Sequence, residues 1–124
     1  MQPAVPSSRV PAVVEEKIRH LPPPAQAAFR RFHAGGDVAE LDGVIVALLE
    51  DFIPKAPARP LAELPGSTHL IADLGFDSLA ITEVVFAVED LVGIRIANEE
   101  IVQVLTLDDL RAFIRRKAAA LPAR

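Results

Sequence analysis

The 124-residue chain has no cysteine, no tryptophan and no tyrosine. Without cysteine it can form no disulfide, no thiol nucleophile and no cysteine-based metal site. His20, His33 and His69 show no metal-ligand spacing and are expected at the surface. No glycine-rich phosphate loop occurs. No apolar run approaches the ~20 residues of a membrane span. The first 30 residues contain Glu15, Glu16 and many prolines rather than a continuous apolar stretch. A secretory signal is therefore not expected, and the cytoplasm is the expected compartment.

What is present is a 51% hydrophobic chain of a length that suits one small domain. The net charge of −4 conceals an asymmetry. Residues 1–36 carry five Arg or Lys against two Glu, whereas residues 37–120 carry seven against fifteen acids. So acidic a domain is a poor candidate for nucleic acid, whose affinity comes mainly from neutralised phosphates. It suits encounter with enzymes that bear basic docking patches, although solubility alone also explains an acidic face.

Composition divides the chain into an extension at 1–36, a domain at 37–120 and a tail at 121–124. The extension holds six of the eleven prolines and ends at Gly35-Gly36. Val14, Ile18 and Leu21 have helical spacing, and a second short helix is expected from Ala25 to Phe32. Two readings stay open: a floppy, weakly helical extension, or an accessory docking segment or cap.

Asp37 is the expected cap of the first domain helix, with Glu40 in a capping-box position. Val38, Leu41, Ile45, Leu48, Leu49 and Phe52 give its apolar side, and Pro54 ends it. Residues 54–76 form a long connection, which Leu61, Leu64, Leu70, Ile71 and Leu74 are expected to pin to the bundle. A last helix starts at Thr106, with Asp109 completing a second capping box. No convincing strand is present. The fold class expected is all-α: a small bundle of three main helices plus one short helix.

Between these lies Leu74-Gly75-Phe76-Asp77-Ser78-Leu79. Asp77 is a natural N-cap, which puts Ser78 in the first turn of an apolar helix. Unpaired amides and the positive end of the helix dipole favour a phosphate there. A triad of Ser78, His69 and Asp73 or Asp77 is not supported, since His69 is nine residues upstream and no Gly-x-Ser-x-Gly elbow surrounds the serine. Glu99-Glu100 and Asp108-Asp109 fit helix starts better than acid–base catalysis. The chain is not expected to be an enzyme on its own.

The Asp77-Ser78-Leu79 motif, the acids Glu89-Asp90 and the turn Gly93-Ile94-Arg95-Ile96 resemble the acyl carrier protein family. Asn98-Glu99-Glu100-Ile101 and Thr106-Leu107-Asp108-Asp109-Leu110 resemble the starts of its third and fourth helices. The resemblance spans about residues 37 to 118. It implies phosphopantetheine on Ser78, with Asp77 and Leu79 completing the attachment motif, and transport of acyl groups as thioesters. It also implies a phosphopantetheinyl transferase and acyl-transferring, condensing or acyl-activating enzymes as partners of a monomeric carrier. Partner contact is implied for Leu79, Thr82, Glu83, Phe86, Glu89 and Asp90. On the residues alone, Leu79 and Phe86 read equally as core. Glu83, Glu89 and Asp90 are expected to be solvated. Leu48, Leu70, Val84, Val88, Ile101 and Leu110 are candidates for a core that opens to an acyl chain. A specialised fatty-acid, lipid or polyketide pathway is expected, the rivals being an aminoacyl or peptidyl carrier and an unmodified interaction module.

Overall fold

The computed structural model describes residues 12–54 and 57–121, apart from the side chain of Val13. The remainder of the extension and residues 122–124 of the expected tail lie outside the described residues. Helices α1 (Ala12–Ile18) and α2 (Pro23–His33) precede α3 (Leu41–Phe52), α4 (Ser78–Val92), α5 (Asn98–Ile101) and α6 (Leu107–Ala119). No strand occurs among the described residues; His69 and Thr106 form one isolated bridge. The all-α bundle expected from the sequence is therefore the fold, with α3, α4 and α6 as its long helices and α5 as its short one. No helix among the described residues is long and apolar enough to cross a membrane.

The extension is not loose where it is described. α2 starts at Pro23 and Pro24, whose fixed φ suits a first turn and whose missing amides would be unpaired there anyway. Its Ala25, Ala28, Phe29 and Phe32 are buried, as are Ile18 and Leu21 just before it, all in one core with α3, α4 and α6. α2 packs most extensively against α3. That explains a feature of α3 that one-sided spacing does not. Val44, Val46 and Ala47 are buried along with Leu41, Ile45, Leu48 and Leu49. A helix that is apolar all round is a buried helix. Glu15–Arg30 and Arg31–Glu40 pairs fasten the hairpin from outside.

The start of α3 departs from the expected capping box. Asp37 caps a short 3-10 turn, Val38–Glu40, by accepting the Ala39 amide, and the α-helix proper begins at Leu41. The Glu40 carboxylate is held by Arg31 instead of reaching back to Asp37. An ion pair with α2 has displaced the local cap.

The long connection is held by backbone hydrogen bonds as well as by side chains. Leu61, Leu70 and Leu74 are buried and Leu64 is half-buried. The Leu70 amide donates to Leu105 O, Leu107 to Thr68 O and Asp108 to Gly66 O, so the connection is laced to the segment before α6. A Cβ on Gly66 would stand 2.1 Å from the Asp108 carboxylate, so a larger residue there would have to push that exposed side chain aside. Ile71 does not pin the loop: it is 57% exposed.

Candidate functional site

The loop reaches α4 through three residues with separate tasks. Gly75 takes a φ of 77°, a conformation glycine adopts without strain. Phe76 is 1% exposed and anchors the turn in the core, its amide donating to Leu70 O. Asp77 caps α4 by accepting the Ala80 amide at 2.8 Å. Ser78 follows as the first helical residue and is exposed.

Among the described residues, no histidine or carboxylate hydrogen-bonds the Ser78 hydroxyl. His69 Nδ1 accepts from the Ala72 amide, and Asp73 accepts from the His69 amide. His33 is half-buried rather than at the surface, with a buried Nδ1. No cluster of three metal-capable side chains occurs among the described residues.

Ser78 stands at the edge of an apolar cavity of about 380 Å³. Leu49 and Ile114 reach it from α3 and α6, Val84 and Val88 from α4, and Leu70 and Ile101 from the other sides. All of these except half-buried Ile101 are buried. Of the core positions expected to open, Leu48 is buried but does not line the cavity; its neighbour Leu49 does. One residue on a helix turns the side chain by about 100°, so adjacent leucines serve different walls. Ile71, Val102 and Leu105, all exposed, surround the space near the surface with Ser78 and Thr82. Sequence reasoning missed Val102 and Leu105; large apolar residues in a short interhelical segment were the available signal.

The outward side of α4 carries Leu79 at 68% and Phe86 at 63% exposure. Neither is core. Thr82 and Glu83 are exposed beside them, the Thr82 hydroxyl donating to Ser78 O at 2.7 Å. The other two acids are not free. Glu89 Oε2 accepts the Ile96 amide, and Asp90 pairs with Lys17 of α1.

The residues fit a phosphodiester-linked arm. Asp77 satisfies the Ala80 amide, and Ile81 N donates to Asp77 O, whereas the Ser78 and Leu79 amides have no protein acceptor among the described residues. An anion there meets the positive end of a 15-residue helix.

A family model for the phosphopantetheine attachment site matches residues 44–114. The chain is 36% identical over 56 residues to an acyl carrier protein of Solidesulfovibrio magneticus, covering 45% of this chain and 72% of that one. To one of Desulforapulum autotrophicum it is 31% identical over 70 residues, 56% and 75% of the two chains. To one of Nitratidesulfovibrio vulgaris it is 34% identical over 55 residues, 44% and 72%. A buried-core helical bundle, a helix-opening serine over an apolar cavity and these matches agree: the chain belongs to the acyl carrier protein family, whose prosthetic group is 4'-phosphopantetheine.

Proposed function

We propose that Ser78 carries the phosphopantetheine and that the chain holds aliphatic acyl groups for partner enzymes of a specialised fatty-acid, lipid or polyketide pathway. The observation that carries this reading is the position of Ser78, exposed on the first turn of α4 and bordering the apolar cavity. Residues 44–114 contain one other serine, Ser67, which opens no helix.

With no base beside it, the Ser78 hydroxyl is an ordinary alcohol, and its activation falls to a transferase. The bound group supplies a thiol, which this cysteine-free chain lacks, and with it the capacity to hold an acyl group as a thioester. The Ser78 and Leu79 amides, which have no protein acceptor among the described residues, would be available to hold the phosphodiester. Aliphatic walls exclude water from a chain drawn between α3 and α4, a transfer worth at most about 0.8 kcal/mol per CH₂. Those walls favour an aliphatic cargo over an aminoacyl one. Leu79, Thr82, Glu83 and Phe86 form the side of α4 that a partner meets, with exposed apolar anchors beside the attachment point.

The test is an intact mass after incubating the apo chain with coenzyme A and a broad-specificity phosphopantetheinyl transferase. The parent and Ser67→Ala gain one phosphopantetheine, and Ser78→Ala gains none. A folded parent that gains none with two different transferases is an interaction module instead.

A further inference from the structure

Four consecutive residues of the N-terminal hairpin tie together the ends of the two helices that wall the cavity. Lys17 Nζ lies 3.1 Å from Asp90 Oδ1, near the end of α4. His20 Nε2 lies 3.1 Å from Asp51 Oδ2, near the end of α3. Between them Ile18 is completely buried. Behind this segment α1 packs on α4 and α2 packs on α3. Leu49 and Val88, each two residues before its tethered aspartate, line the cavity.

The geometry points to Lys17–His20 as a strap across the acyl cavity, whose hold on α3 and α4 is weakened when a long chain enters. This rests on the carrier reading above. A chain wedged between Leu49 and Val88 moves α3 and α4 apart, and the segment that contacts both helices resists that movement. Coupling of this kind is reciprocal: whatever loosens the strap favours entry of the chain, by the same factor. The strap also holds Asp90, so a loaded carrier presents at its α4 end an acid that the unloaded carrier keeps paired. Partners that prefer long-chain cargo thereby meet a different charge than partners that meet the empty arm.

The experiment uses the full chain, phosphopantetheinylated and loaded with either butyryl or dodecanoyl groups, beside the double variant Lys17→Ala/His20→Ala. Hydrogen exchange reports on residues 14–21, and hydroxylamine cleavage of the thioester reports on burial of the chain. In the parent, dodecanoyl loading speeds exchange across 14–21 by about fivefold over butyryl loading, the size expected from one exposed ion pair and one exposed polar contact. In the double variant, exchange there is already fast with either cargo, and the dodecanoyl thioester resists hydroxylamine better than in the parent. The strap is overturned if dodecanoyl is protected from hydroxylamine in the parent while exchange at 14–21 matches the butyryl form. It is overturned equally if both thioesters are cleaved at the same rate, since no chain then enters. A parent that gains no phosphopantetheine by mass removes the carrier reading, and the strap with it.

Discussion

The Glu89 carboxylate accepts the backbone amide of Ile96 at 2.7 Å, closing the turn that follows α4. An acid that the family resemblance assigns to a docking face is thus also part of the scaffold. Glu83, one of its companions, is exposed on the outward side. Glu89→Ala is expected to lower stability by about 1–2 kcal/mol in urea unfolding, because a half-buried amide loses its acceptor. Glu83→Ala leaves stability unchanged and slows productive encounter with a basic transferase at low salt. The modification rate at two ionic strengths separates the effects.

Acid weakens the fold at α5 and α6. Hydrogen bonds from the Leu105 and Thr106 amides hold the Asp109 carboxyl below its ordinary 3.8. The Ala97 amide and Lys117 hold Glu100 below 4.5. A depressed folded pKa means that the unfolded chain takes up protons first as the pH falls. The stabilisation is full above the ordinary values, declines as the pH drops through them, and is gone below the folded ones. Melting temperatures followed through that range should fall more steeply in the parent than in Asp109→Asn or Glu100→Gln.

One substitution has opposite signs at two glycines. Gly43 lies inside α3 with open space where a Cβ would stand, so Gly43→Ala stabilises by about 0.5–1 kcal/mol. Gly93 has equal room but a φ of 86° as the C-cap of α4. There alanine costs about 1–2 kcal/mol in left-handed backbone. Thermal unfolding of the two variants reads the difference.

Phenylalanine position predicts a third contrast. Phe29 of α2 is 1% exposed, and Phe29→Ala is expected to cost about 3–5 kcal/mol. Phe86→Ala falls within about 0.5 kcal/mol, as an exposed residue should. If the hairpin folds as one unit with the bundle, the Phe29→Ala loss appears in a single urea transition that moves as a whole.

Helix starts were the most legible part of the sequence. Asp77 before α4 and Thr106–Asp109 before α6 act through neighbours within four residues, and local chemistry reads them correctly. Where a distant partner intervenes, local reading fails. Glu40 leaves its expected cap for Arg31, and Asp90 is taken by Lys17, seventy-three residues away. Spacing alone does not place Leu79 and Phe86 in core or surface, because α4 is apolar on more than one side and spacing does not say which side is covered. The packing of the hairpin was announced by α3 itself. The unbroken run Val44-Ile45-Val46-Ala47-Leu48-Leu49 has too many apolar faces for a helix with one wet side.

A chain beginning at Asp37 would keep the whole stretch that matches the family and yet uncover the side of α3 that α2 occupies. Such a fragment would present bare hydrocarbon along a helix, a surface prone to find a second copy of itself. The hairpin thus decides where this gene can be shortened. A size-exclusion profile of the shortened chain, rather than its sequence similarity, would mark the least that remains a solitary molecule.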